Sequence, residues 1–175
     1  MTNEPLLETE RLELWLPQAS DLDGLVALLD DESMTRFLGP ARASHASQFE
    51  RLCRNAGTWA LHGYGTCALR LKGGDGTIVG TCGVFHSWRG FGNGMDDVPE
   101  AGWIVGHRHW GKGIAGEAMT AMLDWFDREH GRQRIACMIT EGNVASERLA
   151  ARLGFVAYDR HQPDEGEPLV LYERP

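Results

Sequence analysis

A run of glycines and basic residues between positions 106 and 116 is the part of the chain whose composition points most directly to chemistry. It reads Gly-His-Arg-His-Trp-Gly-Lys-Gly-Ile-Ala-Gly and lies between a predicted strand and a predicted long helix. Unpaired N–H groups at the start of a helix, together with the helix dipole, favour a bound anion. Glycines let such a turn present its N–H groups as a concave nest. The sequence therefore predicts an anion-binding turn at this place.

Three phosphate-binding patterns overlap in this segment. Gly111–Gly116 matches the Gly-x-Gly-x-x-Gly pattern of dinucleotide-binding proteins, but no second strand-helix-strand unit accompanies it. Gly106–Lys112 matches a nucleotide-binding loop, but Gly113 follows where Ser or Thr would hold magnesium. The third pattern is Arg108, then Gly111, then Gly113, and it needs no metal because main-chain donors hold the diphosphate. All three patterns predict an anion site.

Acidic residues just before this segment are candidates for catalysis or substrate binding. Glu100, at the start of a predicted strand, is a candidate general base, or else a surface carboxylate paired with a basic residue. Asp96 and Asp97 lie in a glycine-rich segment with Trp88, and these three residues are candidates for contacting a substrate. The alternative for the two aspartates is a solvated turn.

Composition narrows the possible partners and the architecture. The chain has 175 residues, 42% hydrophobic and 24% charged, and a formal net charge of −8, which together favour one compact domain over residues 1–175. The negative charge argues against nucleic acid and favours cationic or neutral partners. No secretion signal or membrane span is expected. The four cysteines show no spacing typical of metal ligands, so we expect reduced thiols and a cytoplasmic location. His107 and His109 have no further ligand at a suitable spacing, so we expect no metal.

Hydrophobic periodicity and turn residues predict a mixed α/β layer fold. The predicted elements are a strand over 11–16, helices over 20–30 and 44–57, a hairpin over 64–72 and 77–85, a long loop over 86–98, a strand over 100–105, a helix over 112–130, a strand over 134–140, a helix over 143–153, and strands over 155–160 and 169–172. The anion-binding turn then joins the strand over 100–105 to the longest apolar-faced helix.

Four ordered features resemble the GNAT superfamily of acetyl-CoA-dependent N-acetyltransferases. They are an opening strand at 9–14, a strand at 100–105, the Arg-x-x-Gly-x-Gly turn leading into a helix at 110–118, and Asn143-x-x-Ser146-x-x-Leu149 followed by Gly154-Phe155. Together they most resemble the branch that acetylates the N-terminal serine or alanine of ribosomal proteins. The resemblance implies a mostly antiparallel central sheet flanked by helices, with a splayed fourth strand.

The resemblance also implies roles for particular residues. Residues implied to hold acetyl-CoA are Ile104, Val105, Arg108, His109, Trp110, Gly111, Lys112, Gly113, Ile114, Ala115 and Asn143. The N–H of Val105 is a candidate donor to the thioester oxygen. Asn143 is equally placed to cap a helix. Ala150 stands where many relatives have a tyrosine that protonates the leaving thiol, and Ser146 is the implied substitute.

These observations predict an N-acetyltransferase that uses acetyl-CoA and a primary amine, either a peptide N-terminus or a small molecule, by direct attack on the thioester. One alternative is a non-catalytic sensor or scaffold that binds acyl-CoA, which the alanine at position 150 favours. Another is a nucleotide-binding regulator, based on the Gly-x-Gly-x-x-Gly match. A homodimer is possible, as in relatives of this branch.

Overall fold

The computed structural model describes residues 4–34 and 44–175. The α-helices of eight or more residues in these ranges are α1 (Leu22–Leu29), α2 (His45–His62), α3 (Ile114–His130) and α4 (Val144–Arg152). Eight strands lie there too: β1 (Leu7–Glu8), β2 (Leu12–Trp15), β3 (Thr66–Leu71), β4 (Ile78–Trp88), β5 (Asp96–Val105), β6 (Ile135–Thr140), β7 (Val156–His161) and β8 (Leu169–Arg174). Within the described ranges, no helix has both the length and the apolar character that crossing a lipid bilayer requires.

The eight strands form one sheet in the order β1-β2-β3-β4-β5-β6-β8-β7, and all neighbouring pairs are antiparallel except β5 and β6. This confirms the predicted mixed, mostly antiparallel α/β fold. β5 corresponds to the predicted fourth strand, because the two-residue β1 was not predicted. The single parallel pair of strands lies in the middle of the sheet.

β5 and β6 are paired at only one position. Glu100 is opposite Ala136, and beyond this point β5 follows β4 while β6 follows β8. The two strands therefore diverge over residues 101–105 of β5, which confirms the predicted splay. A gap in the middle of the sheet results, and backbone groups along its edges have no partner strand.

The sheet packs between helices on its two faces. Helix α3 covers one face through its apolar stripe, including Met122 and Phe126, both fully buried, while α1 and α2 cover part of the other face. Residues at spacings of three and four along α3 reach the core because that spacing matches the helical period. This packing places the N-terminus of α3 close to the C-terminal end of β5.

The larger differences from the predicted element boundaries lie at the end of α2 and in the connection between β4 and β5. Helix α2 continues through Gly57 to His62, and Gly63 ends it with a φ of 74°. A glycine inside a helix reduces its stability without ending it when tertiary packing supports both sides. The predicted long loop over 86–98 is a seven-residue turn over 89–95, because β4 extends to Trp88 and β5 begins at Asp96.

We predict that Gly83 is required for strand packing. A Cβ atom at this position of β4 would lie 2.3 Å from the carbonyl oxygen of Gly65 and 2.6 Å from the Cα of Thr66. Backbone atoms cannot give way as a side chain can, so Gly83→Ala is expected to lower the free energy of unfolding by about 2 kcal/mol or more.

Gly57→Ala is the matched control, since nothing lies within 4 Å of a Cβ atom there. It lies inside α2, where alanine is expected to stabilise by about 0.5–1 kcal/mol. Urea unfolding of both variants measures the two effects. Equal stabilities for the two alanine variants would contradict the close approach of β3 and β4.

Candidate active site

The turn between β5 and α3 exposes main-chain donors, as the sequence predicts. We call residues 106–113 the glycine turn. A short 3-10 helix over His107–His109 uses the N–H groups of His109 and Trp110, and Gly111 and Gly113 then take positive φ angles of 71° and 76°. In the part of the chain that the structure describes, the N–H groups of residues 111–116 donate to no backbone carbonyl. They are free to bind an anion at the helix N-terminus.

An ion pair between distant parts of the chain holds this turn in place. Arg11, which precedes β2, pairs with Glu117 in the first turn of α3 at 2.6 Å and donates a hydrogen bond to the carbonyl of Lys112 at 2.9 Å. Thr9 and the backbone N–H of Arg11 also donate to the Glu117 carboxylate. The glycine turn is therefore tied to the segment that leads into β2.

These contacts change the acidity of Glu117. Partial burial alone would raise its pKa, but hydrogen bonds from Thr9 and Arg11 and the Arg11 charge outweigh burial, so the pKa lies below the ordinary value of 4.5. The carboxylate is thus ionised in the folded protein at neutral pH. The sequence did not predict this ion pair, which anchors the glycine turn, because 106 positions separate Arg11 from Glu117 and no local pattern joins them.

A cavity of about 510 Å³ opens beside the glycine turn, between β5, α3 and α4, and we call it the turn cavity. Nine of the eleven predicted acetyl-CoA residues line it: Ile104, Val105, His109, Trp110, Gly111, Gly113, Ile114, Ala115 and Asn143. Arg108 and Lys112 do not line it and are exposed. Arg148 and Arg152 of α4 line it instead, one helical turn apart. The sequence analysis assigned roles to Asn143 and Ser146 at the start of this helix but not to its arginines.

The edge of β5 offers free backbone groups to this cavity. The N–H of Gly106 donates to the carbonyl of Val79, so alternate residues along β5 exchange hydrogen bonds with β4. Trp103 and Val105 are the intervening residues, and their N–H and C=O groups point towards the gap. The indole N–H of Trp110 donates to the Val105 carbonyl at 2.7 Å, in agreement with that direction.

A second cavity of about 370 Å³ lies next to β4, β5 and α2, and we call it the arginine cavity. Glu100 lines it at the point where β5 and β6 diverge, and only 2% of this residue is exposed. Both carboxylate oxygens accept hydrogen bonds from Arg89, at 2.6 and 2.8 Å. The sequence left open whether Glu100 is a base or an ion-pair partner. The ion pair exists, and its Glu100 side chain is buried at the cavity, whereas the Arg89 side chain is 31% exposed.

The two cavities share four residues, Trp103, Ile104, Asn143 and Ser146. Asn143 caps α4 by accepting a hydrogen bond from the N–H of Ser146 at 3.2 Å. The Ser146 hydroxyl accepts a hydrogen bond from the Trp103 indole at 3.3 Å. A hydroxyl and an amide therefore lie where the contents of the two cavities would meet.

No tyrosine lines either cavity in the described ranges, which include all three tyrosines of the chain. Ala150 is fully buried in α4. Cys137 does line the arginine cavity, but burial raises the pKa of its thiol far above the ordinary value, so it stays neutral. Ser146 is the hydroxyl-bearing residue that lines both cavities.

Asp96 and Asp97 lie outside both cavities. The Asp96 carboxylate accepts the N–H groups of Gly90 and Gly92 and so closes the turn between β4 and β5. Asp97 lies 2.9 Å from a ring nitrogen of His86. Their predicted contact with substrate therefore has no support from the cavities, whereas Trp88 is 72% exposed and does line the arginine cavity.

The histidines of the glycine turn show no arrangement typical of a metal site. His107 lies 3.5 Å from Asp31, and burial with the nearby Lys112 and Arg108 charges lowers the pKa of His109. Among residues 4–34 and 44–175, no group of three His, Cys, Asp or Glu side chains could hold a metal ion. The absence of a metal stays a prediction.

Comparisons with known proteins agree with this geometry. Residues 11–156 match the family model "Acetyltransferase (GNAT) domain". A putative GNAT-family acetyltransferase from Bordetella pertussis is 36% identical, with a TM-score of 0.86 over 97% of this chain and 98% of that one. An uncharacterized N-acetyltransferase, p20, from Bacillus licheniformis is 26% identical over 85% of this chain and 81% of its own length.

The fold is also similar to that of a ribosomal-protein-S5-alanine acetyltransferase from Vibrio fischeri, with a TM-score of 0.76 and 18% identity over 96% of this chain and 94% of that one. At this identity the likeness concerns the fold alone.

We predict that Glu117→Gln weakens both the fold and the glycine turn. Because the pKa of Glu117 is lowered on folding, its ionised form stabilises the protein above pH 4.5, and this stabilisation is lost as the pH falls through the lower folded-state value. The variant is expected to lose about 1–2 kcal/mol of unfolding free energy at pH 7, a loss that shrinks below pH 4.5.

Glu129→Gln is the control, since Glu129 pairs with Arg128 at the exposed end of α3. Its effect on the free energy of unfolding is expected to be close to zero. Chemical unfolding across pH measures both variants. If Glu117→Gln were as stable as the control at pH 7, the anchor would contribute nothing.

Proposed function

The chain belongs to the GNAT acetyltransferase family, and we propose that it is an acetyl-CoA-dependent N-acetyltransferase that acts on a primary amine. The observation that carries this proposal is the meeting of the two cavities at Trp103, Ile104, Asn143 and Ser146. The turn cavity begins at the free main-chain N–H groups of the glycine turn. The arginine cavity is polar and shares only these four residues with it. A donor and an acceptor can enter from different sides and react where β5 leaves β6.

The described residues fit acetyl-CoA. Its diphosphate would accept from the unpaired N–H groups of residues 111–116, which need an anion or water as partner. Arg148 and Arg152 would bind phosphate groups from across the turn cavity. The amide groups of the pantetheine arm suit the free edge of β5 at Trp103 and Val105. When bound, the cosubstrate supplies a thioester whose acetyl group is open to direct attack by an amine.

The N–H of Val105 is the proposed donor to the thioester oxygen. It points into the gap because the strand pairing turns it away from β4. A fixed donor aimed at developing negative charge can contribute roughly 3 kcal/mol to lowering the barrier. No side chain has to move to provide it.

Two side chains are proposed to handle protons. Glu100 would accept the proton of the amine, directly or through a water, since each of its oxygens keeps acceptor capacity beside Arg89. Ser146 would donate towards the leaving sulfur, with its hydroxyl oriented by the Trp103 indole. A thiol has a pKa of about 8.5 and is a good leaving group, so a hydroxyl is sufficient here.

We further propose that residues 1–175 act as one domain in the cytoplasm. A single continuous sheet supports one domain. Four free cysteines, three of them buried, fit a reducing compartment. A homodimer and a peptide or small-molecule acceptor stay predictions.

The test is release of free thiol from acetyl-CoA by the purified protein, with and without a panel of primary amines, with mass spectrometry of the amine products. Amine-dependent thiol release and an acetylated product are expected. Tight binding of CoA with no thiol release for any amine would favour the alternative, a non-catalytic sensor. Stabilisation against heat by NAD but not by acetyl-CoA would favour a nucleotide-binding regulator.

We predict that Glu100→Gln lowers kcat about 100-fold, because proton acceptance by a placed carboxylate is lost. Affinity for acetyl-CoA is expected to stay the same. Asp127→Asn is the control for the loss of a buried ion pair, since Asp127 accepts two hydrogen bonds from Arg174 away from both cavities. It is expected to destabilise the fold and keep kcat. If Glu100→Gln kept the wild-type kcat, Glu100 would serve only to hold Arg89.

A further inference from the structure

The charge of the arginine cavity is opposite to that of the chain. The protein carries a formal net charge of −8, yet the charged side chains that line this cavity are three arginines and one glutamate. Arg89 and Glu100 neutralise each other through two hydrogen bonds. Of the other two arginines, both on α2, Arg54 has no acidic partner among the described residues and therefore adds positive charge to the cavity.

Arg51 and Arg54 lie on the same face of α2 because they are three positions apart. Asn55 and Thr58 continue this face and also line the cavity. Among the residues that the structure describes, Arg54 forms no ion pair with an acidic side chain, and it is exposed at the cavity. A guanidinium in this position keeps its donors available to a ligand.

The floor of the cavity is polar without being acidic. Thr66 of β3 and Thr81 of β4 line it and are buried. Asp96 and Asp97, at the start of β5, do not line it: Asp96 accepts backbone N–H groups of the preceding turn, and Asp97 lies against His86. A cationic acceptor would therefore meet arginines and no free carboxylate. A volume of about 370 Å³ is in the range of pockets that hold small molecules.

We propose that the acceptor is a small amine that carries an anionic group, a carboxylate or a phosphate, and that Arg54 binds this group. The proposal rests on the proposed function and specifies its substrate class. Guanidinium groups bind carboxylate and phosphate oxygens through paired N–H donors. With the anion held at α2, the amine would lie towards Glu100 and the shared residues of the two cavities.

The experiment compares matched acceptors in the thiol-release assay. The carboxylate pair is γ-aminobutyrate and its amide, the phosphate pair is phosphoethanolamine and ethanolamine, and putrescine is the cationic acceptor. For the wild-type protein, kcat/KM is expected to be at least about tenfold higher for the anionic member of one pair or both, and lowest for putrescine. The two pairs distinguish a carboxylate from a phosphate.

Arg54→Glu is expected to abolish this preference, so that the ratio of kcat/KM for anionic over neutral acceptor falls to one or below. Arg128→Gln is the matched control, since Arg128 is an exposed helix arginine far from both cavities, and it should keep the wild-type ratio. Equal or higher kcat/KM for neutral amines in the wild-type protein would overturn the proposal and leave the acetyltransferase function intact.

Binding separates failure of this proposal from failure of the proposed function. Thermal stabilisation by each probe is measured with CoA present, in the wild-type protein and in Arg54→Glu. Stabilisation of the wild type alone by the anionic probes, without turnover of any amine, would support the anion site and overturn the acetyltransferase function. Neither stabilisation nor turnover with any probe would overturn both.

Discussion

The divergence of β5 from β6 after one paired position is the constraint on which the site depends. A parallel pair in the middle of a sheet is normally fully hydrogen-bonded, and each buried unpaired backbone group costs free energy. Here the pairing stops at Glu100 and Ala136, and β4 and β8 hold the two strands on their outer sides. The N–H groups of Trp103 and Val105 and the carbonyl of Trp103 therefore face cavities in which a ligand can satisfy them, while the Val105 carbonyl accepts from the Trp110 indole. A fully paired sheet would close this passage.

The glycine turn shows how the sheet and helix α3 support each other. Its free N–H groups point outward because Gly111 and Gly113 take backbone conformations that other residues rarely adopt. The N-terminus of α3 has no side-chain cap. The ion pair between Arg11 and Glu117 holds the first turn of this helix instead. The acidic side chain also lies in the first turn of the helix, where the dipole favours negative charge. The anchor holds the turn through the Lys112 carbonyl and the Glu117 carboxylate, and it uses none of the N–H groups of the turn.

Local patterns in the sequence predicted the parts of the site that are made by neighbouring residues. The turn, the cap formed by Asn143 and the strand that carries Val105 follow from glycine spacing and hydrophobic period. The side chains that come together from distant segments were not predictable in this way. Arg148 reaches the turn cavity from α4, and Arg89 reaches Glu100 from the end of β4, because the strand order places these elements side by side. Strand β4 was predicted to end at Phe85, and this hid Arg89 from the site.

Of the properties of the sequence, net charge was the least informative about the charge of the acceptor, for a physical reason. Formal charge sums over a surface that water and salt screen within about 10 Å, whereas a bound molecule interacts with the few groups that line its cavity. In this protein Arg89 neutralises the charge of Glu100, the one acidic residue among those that line the arginine cavity. Arg54 of α2 then sets the sign of the local charge. Nearby guanidinium groups also favour the neutral form of a bound amine, since like charges disfavour its ammonium form. Attraction of an anionic group and activation of the amine beside it would thus have the same electrostatic origin.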